Sequence, residues 1–334
     1  MNRTLITLAV LAASSGAAMA QSPVTLYGVA DAWIGSSKVE VGGVGTRQNV
    51  VDSSGVNGSR WGLKGTEDLG GGMKAVFTVE SGFGIDTGTS AQGGLLFGRQ
   101  AFVGLQGGFG TVSLGRQYSG YWELQGQVNH NYSAFTFESN AGVAANGIPE
   151  YTYRLNNSIK YFSPVVNGFS GVASYGFGEN KNTPLVGNSA TNIASFNLSY
   201  ANGPLLVGYG HQDETQASGD KNKYNLIGGT YDFGVVKLLG SYSKIKNNTT
   251  KDKEYQVGAV VPFGAAAISA GFTRSTSDVG AVSNTGKGYA ILATYDLSKR
   301  TGLYAAAVNT KAHVLNAVAE TKTTKYGVGI RHFF

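Results

Sequence analysis

Tyr326-Gly327-Val328-Gly329-Ile330-Arg331-His332-Phe333-Phe334 ends the chain, and its alternation decides the fold. Tyr326, Val328, Ile330, His332 and Phe334 fall on one parity; Gly327, Gly329, Arg331 and Phe333 fall on the other. A period of two marks a strand with unlike faces, and here an aromatic side chain closes the apolar face. In an open sheet such a strand would leave an unpaired greasy edge that invites aggregation. A strand that closes a barrel within a membrane has no such edge, because first and last strands pair.

The same alternation recurs upstream. Phe169, Gly171, Ala173, Tyr175 and Phe177 alternate with Ser170, Val172, Ser174 and Gly176, and Ala194, Phe196, Leu198 and Tyr200 alternate with Ser195, Asn197 and Ser199. Tyr255, Val257, Ala259, Val261 and Phe263 form a further apolar face, as do Tyr289, Ile291, Ala293, Tyr295 and Leu297. Seven tight turns punctuate these runs: 67–72, 107–110, 164–168, 201–204, 231–234, 262–264 and 295–298. Eight longer polar segments lie between them: 36–58, 82–96, 118–150, 178–191, 212–222, 246–253, 276–286 and 313–323. Seven turns alternating with eight loops join sixteen strands, with both chain ends on the short-turn side. The expected fold is all-β, a 16-stranded antiparallel transmembrane barrel with short periplasmic turns and long extracellular loops.

Composition agrees. Of 334 residues 50 are Gly, 18 Tyr and 16 Phe, only 6 are Pro, and 14% are charged. There is no cysteine, which excludes disulfides and thiolate metal sites. The mean hydropathy of −0.08 is what results when outward apolar and inward polar residues cancel along each strand. At the amino end, Arg3, the apolar run Leu5 to Ala13 and the small-x-small triplet Ala18-Met19-Ala20 predict an export leader over residues 1–20, leaving 21–334 as the barrel domain. Losing Arg3 would take the net charge from +6 to +5. Lysines and arginines are scattered along the chain, so the basic balance gives no reason to expect nucleic acid.

Val24-Thr25-Leu26-Tyr27-Gly28, the run Ser59 to Gly70 (SRWGLKGTEDLG), the run Gly98 to Leu105 (GRQAFVGL), Leu114-Gly115-Arg116-Gln117-Tyr118 and the terminal Phe334 resemble, in this order, the general diffusion porins of Gram-negative outer membranes, of the beta-proteobacterial type. The resemblance spans the mature chain. It implies a homotrimer of sixteen-stranded barrels, each with a pore narrowed by a third long loop folded into the lumen. It also implies that Phe334 addresses the chain to the barrel-insertion machinery of the outer membrane. Lipid and lipopolysaccharide would surround the barrel, and ions and small hydrophilic solutes would pass through it.

The third polar segment, Tyr118 to Glu150, is the longest, and a long loop in a compact domain is usually functional. Its carboxylates Glu123 and Glu138 are the acidic candidates for the constriction, with Glu150 behind them, beside Tyr118, Tyr121, Trp122 and His130. Basic candidates come from the walls. Trp61, Leu63 and Gly65 take the outward parity, which turns Arg60 and Lys64 inward. Tyr153, Leu155, Ile159 and Tyr161 are expected outward, leaving Arg154, Asn156, Ser158 and Lys160 inward. Periodicity leaves Arg99 undecided; the resemblance turns it inward, and a mid-membrane charge on the lipid face costs ~2–4 kcal/mol. Arg60, Arg99 and Arg154 thus form the expected basic cluster, with Lys64, Lys74 and Lys160 as additions and Glu80 as their partner. Arg116 shares the outward parity of Val112 and Leu114, which suggests a subunit interface where a neighbour's Asp86 could meet it.

Opposed charges across a narrow aqueous slot make a transverse field that is strongest between low-dielectric walls. The expected function is therefore passive diffusion with a mild anion preference, without cofactor, metal or catalysis. A channel specific for sugar, phosphate or organic acid is the alternative. A barrel hydrolase is a more distant one, since His130, His211, His313 and His332 stand in no recognisable relation to a serine nucleophile.

Overall fold

The computed structural model describes residues 24–129, 135–140, 150–179, 191–313 and 320–334. The expected leader and His130 lie outside these residues. Seventeen strands are present among them: β1 Thr25–Val41, β2 Arg47–Ser53, β3 Arg60–Gly70, β4 Met73–Gly82, β5 Gln100–Gly107, β6 Gly110–Tyr118, β7 Arg154–Phe162, β8 Phe169–Gly176, β9 Ile193–Asn202, β10 Leu205–Thr215, β11 Lys221–Asp232, β12 Lys237–Lys246, β13 Thr250–Phe263, β14 Ala266–Val279, β15 Val282–Asp296, β16 Thr301–His313 and β17 Glu320–Phe333. From β3 onward each strand pairs antiparallel with the next, and β1 pairs with both β17 and β3. That ring has sixteen members. The seventeenth strand, β2, pairs only with β1, over Ala32 to Lys38, as though the second wall strand had been broken at residues 54–59.

Closure rests on the carboxyl terminus. Val29 to Val41 of β1 run against Phe333 to Thr321 of β17. One step beyond, Gly28 N donates to Phe334 O at 3.0 Å and Phe334 N to Gly28 O at 3.1 Å. A side chain at position 28 would collide with the Phe334 ring, whose nearest atom lies 2.3 Å from where a Cβ would stand. Glycine there lets the terminal aromatic cover the seam.

The seven tight turns close their hairpins at the end of the barrel where both chain ends lie, the turn end. The loop end differs from expectation. Segments 36–58, 212–222, 246–253 and 276–286 are mostly strand: β1 folds back through a turn at Val41–Val44, and residues 216–220, 247–249 and 280–281 are all that links β10 to β11, β12 to β13 and β14 to β15. Above the membrane the outward face meets water, so the apolar half of the alternation vanishes while the backbone ladder continues.

Outward side chains are bare and inward ones covered. Tyr289, Ile291 and Tyr295 of β15 are more than half exposed, whereas Ala290 and Leu292 are buried. An apolar surface of this extent suits lipid. Aromatic girdles bound it, with Tyr209, Tyr242, Tyr255, Phe272 and Tyr289 toward the loop end and Tyr200, Tyr231, Phe263 and Tyr295 toward the turn end. Tyr255 and Phe263 are eight positions apart on β13, roughly 27 Å along the strand, which matches an apolar band of about 25 Å.

The third long segment enters the lumen. Ser119 caps the helix α1, Gly120–Val128, its hydroxyl accepting from Trp122 N at 3.2 Å. Tyr121, Leu124 and Val128 of α1 pack on Tyr224, Leu226 and Ile245 of the inner wall. Room for the helix is made by glycines: a Cβ at Gly208 would stand 2.5 Å from Leu124 Cδ1, and one at Gly228 would stand 2.7 Å from Val128 Cγ2. Further along, Phe137 is fully buried against Trp33, Tyr304, Leu292 and Val308. Burying it is worth about 2 kcal/mol, and the edge-to-face contact with Trp33, centroids 5.0 Å apart, adds up to about 1 kcal/mol. The segment therefore touches the lumen wall at two separate cores, first on β11 and β12 and then on β1, β15 and β16.

Candidate functional site

Glu80 is buried on β4 and takes two hydrogen bonds and a further ion-pair contact. Arg99 Nε donates to its Oε1 at 2.7 Å, and the Tyr27 hydroxyl to its Oε2 at 3.0 Å. Arg60 Nε lies 3.5 Å from the same Oε2. Arg99 precedes β5 rather than belonging to it, so its side chain turns inward beside the end of the ladder, free of the parity that left its direction open. Arg99 Nη2 also donates to the Tyr118 hydroxyl at 3.0 Å, and Arg154 Nη2 donates to that same oxygen at 3.1 Å. The Arg154 guanidinium lies over the Tyr118 ring, 5.0 Å from its centroid. Tyr118 also stacks on Trp122, with ring centroids 3.7 Å apart. Arg60, Glu80, Arg99, Tyr118 and Arg154 are thus one continuous network, in which two guanidinium groups share the carboxylate and the third joins through the Tyr118 hydroxyl.

The other candidates lie elsewhere. Glu123, on α1, is ion-paired with Lys160 of β7, whose side chain is buried. Lys64 stands four positions turnward of Arg60, its ammonium 5.2 Å from the Tyr27 ring centroid. Lys64, Thr66, Thr78, Gln100, Glu123 and Lys160 line a cavity of about 500 Å³ beside α1. Lys74 sits next to the Gly70–Gly72 turn, opposite Asp68 and Gln106. Six positions separate it from Glu80 on β4, roughly 20 Å, so it belongs to the turn-end mouth rather than to the arginine network.

On β7 the alternation slips. Gln117 faces Leu155 while Gly115 faces Ser158, and Asn157 takes a left-handed backbone (φ 45°). The bulge buries Leu155 and exposes Asn156, the reverse of the parity expected from the sequence. Arg116 lies opposite the bulge and bonds within its own chain, to Asn156 Oδ1 and, at 2.9 Å, to Gly98 O. Asp86 is exposed in the segment between β4 and β5.

Two further carboxylates, Glu214 of β10 and Glu254 of β13, are buried on the inner face. Glu214 accepts from Thr152 N at 2.5 Å and lines a cavity with Arg154, whereas Glu254 lies half-way round the ring from β5. Glu138 belongs to this side, since its neighbour Ser139 hydrogen-bonds Thr273 of β14 at 2.7 Å. Burial pushes the Glu138 carboxyl up to about 8, with Glu150 and Glu254 adding to the shift. Neither Glu214 nor Glu254 was distinguished by the sequence, because single carboxylates in polar strand ends look like solvated surface.

Asp31 was equally hidden. It is wholly buried on β1, and its carboxylate accepts from Gly55 N at 2.8 Å, Val56 N at 3.1 Å, Asn57 N at 2.7 Å and the Tyr304 hydroxyl at 2.6 Å. These bonds fold the break between β2 and β3 inward. The inturned break in turn holds the lumen segment, as Thr136 N donates to Gly55 O at 3.1 Å and Thr136 Oγ1 to Ser54 O at 2.7 Å.

A closed sixteen-strand ring with an apolar exterior, a polar interior and a loop packed inside it describes a channel. A model of the Gram-negative porin family matches residues 7–313. The chain belongs to that family. An outer membrane porin of Bordetella pertussis is 34% identical over 391 residues, with all of both chains covered. Outer membrane porin protein 32 of Delftia acidovorans is 32% identical over 366 residues, again covering both chains fully. Among solved structures, the anion-selective porin from Comamonas acidovorans superposes with a TM-score of 0.78 at 28% identity, covering 94% of this chain and 100% of that one. The protein is thus an outer membrane porin, and the general diffusion of small hydrophilic solutes is its function.

Proposed function

We propose that the arginine network and the lumen segment together form the constriction of this porin, and that it passes anions somewhat more readily than cations. The observation that carries this reading is the sharing of Glu80 by Arg60 and Arg99 and of Tyr118 by Arg99 and Arg154. One carboxylate among three permanent cations leaves the wall net positive. The carboxylates across the lumen set up the opposing side of a transverse field, and low-dielectric walls strengthen it. The likeness to a porin described as anion-selective, over 94% of this chain, supports the same sign.

Tyr118 and Trp122, which a sugar-binding slide would use, are stacked on each other. That favours general diffusion over a specific sugar channel. Lys160 and Glu123 neutralise one another and act as a brace between β7 and α1. Lys64 supplies charge to the cavity on the turn side of the helix.

The assembled porin is a homotrimer in this reading, exported by a cleaved leader over residues 1–20, inserted through recognition of Phe334 and surrounded by lipid and lipopolysaccharide. Arg116, outward beside the bulge, lies at the subunit contact with a neighbour's Asp86 near it. Planar-bilayer recording of the purified protein tests the whole reading. Large open steps closing in threes, with reversal on the anion side under a salt gradient, are expected. Small steps blocked by one sugar or one anion would overturn it. If Arg116→Ala left the dissociation temperature of the trimer unchanged, the interface assignment would fail.

A further inference from the structure

The inner wall away from the arginine network holds a column of buried oxygens short of donors. Asp252, Glu254 and Gln256 point inward from β13, and Ser277, Ser275 and Thr273 of β14 face them in that order across the ladder. All six are more than nine-tenths buried. Among the described residues, both carboxylate oxygens of Asp252, Ser277 Oγ, Gln256 Oε1 and, from the lumen segment, Asn140 Oδ1 are buried without a hydrogen-bond partner. Asp252 lies three positions loopward of the girdle residue Tyr255, above the bilayer. Burial pushes its carboxyl up, and the Ser277 hydroxyl draws it down without completing a hydrogen bond. Gln256 Nε2 donates to Glu254 Oε1, which sets the unpartnered Gln256 Oε1 beside that carboxylate.

No positive group of the neighbouring strands answers these oxygens. Lys244 and Lys246 of β12, Lys251 and Lys253 of β13 and Arg274 of β14 all take the outward parity. Buried carboxylates are ordinarily paired with a cation or coordinate a metal. No three acidic or histidine side chains among the described residues could hold a metal by themselves, so the donor set is mixed: two carboxylates, an amide oxygen and a hydroxyl. A set made only of oxygens suits a hard cation and not a transition metal. Asp252 and Glu254 stand two positions apart, roughly 7 Å along the strand, which lets both carboxylates close on one ion.

We infer that Asp252, Glu254, Gln256 and Ser277 form an inner-wall site for a hard divalent cation, calcium in particular. Calcium accepts irregular oxygen sets with water completing the shell, whereas magnesium demands a near-ideal octahedron. The bound ion cancels the repulsion between Asp252 and Glu254. It also ties β13 to β14 where the lumen segment rests, since Ser139 bonds Thr273 on the same wall. The site goes beyond the proposed constriction and holds whichever ion the pore prefers.

The test uses the trimer purified free of lipopolysaccharide and stripped with EDTA, wild type against Asp252→Asn/Glu254→Gln. Equilibrium dialysis with radioactive calcium and thermal unfolding are read. Wild type should bind one calcium per chain with a dissociation constant on the order of 10⁻⁴ M, as extracellular sites do, and the variant should bind about tenfold more weakly or not at all. Calcium should raise the unfolding temperature of wild type and leave the variant unmoved. In EDTA the variant should be at least as stable as wild type, because two repelling charges are gone. Ser277→Ala removes a ligand oxygen and no charge, so weaker binding in it supports coordination. Unchanged binding in Ser277→Ala would reduce the site to diffuse attraction and overturn the inference. Equal binding by wild type and the double variant, no saturable binding at millimolar calcium, or equal stabilisation by sodium at matched ionic strength would overturn it as well. Should the double variant not fold, Asp252→Asn and Ser277→Ala, each alone, decide the matter by the same measurements.

Discussion

Arg99 and Glu80 meet at 2.7 Å with both side chains buried, and the second oxygen of Glu80 serves Arg60 and Tyr27. Glu80 is what allows two guanidinium groups to converge on one side of the lumen. Removing one partner of a buried ion pair costs far more than the pair contributes, because the other charge is left behind.

Glu80→Gln should therefore destabilise the barrel by about 3 kcal/mol while strengthening its anion preference, since a negative charge disappears from the wall. Thermal unfolding and reversal potential measure the two effects separately. A stable variant with weaker anion preference would contradict the network.

Asp31 holds the lumen segment from behind. Asp31→Asn places an amide where four donors converge, so at least one N–H loses its acceptor. The expected cost is about 2–3 kcal/mol, and the Thr136 contacts should loosen with the inturned break. Single-channel records should show noisier open states and closure at lower voltage. Quiet records indistinguishable from wild type would remove Asp31 from the support of the loop.

The glycines under α1 make a graded prediction. A methyl at Gly208 meets the flexible end of Leu124, whereas one at Gly228 meets Val128, including its Cβ at 2.9 Å. Valine is stiff at χ1 and cannot swing aside. Gly228→Ala should cost about 1–3 kcal/mol and alter conductance, with Gly208→Ala milder in both. The reverse order would mean that the helix does not rest on β11 as described.

Glu138 gives the channel a pH dependence. Its carboxyl is raised to about 8 by burial and by Glu150 and Glu254, so it is mainly neutral at pH 7 and gains charge as pH rises. For an acid with a raised folded-state value, stability is greatest below the ordinary carboxylate range and is lost as pH climbs through about 8. Anion preference should weaken over the same interval, because the new charge is negative. Reversal potentials at pH 6, 7, 8 and 9 check this, and Glu138→Gln should flatten the step. A step that survives the substitution would assign it to another group.

Much of this architecture was legible in the sequence. Period-two alternation in the terminal strand and in β8, β9, β13 and β15 fixed the faces, and the seven turns fixed the strand count. The turn end matched because Gly, Pro and Asp mark tight turns chemically. The loop end did not, because Ser, Thr and Lys along β10 to β15 are polar on both faces and read as loop. Arg60, Arg99, Arg154 and Glu80 could be named as one basic wall with its partner, but two local irregularities escaped notice. The bulge at Asn157 reversed Leu155 and Asn156, and the break at 54–59 brought Asp31 into play. Both depend on pairing between distant strands, which no local pattern reports.

The decisive measurement is the reversal potential of single channels under a salt gradient, wild type against Arg60→Ala/Arg154→Ala. Those two arginines flank the buried Arg99–Glu80 pair, so the change alters wall charge while sparing the pair. Wild type should reverse on the anion side, and the variant should keep conducting with its reversal moved toward the cation side. An unchanged reversal potential in a conducting variant would contradict the claim that this arginine wall sets the selectivity of the pore.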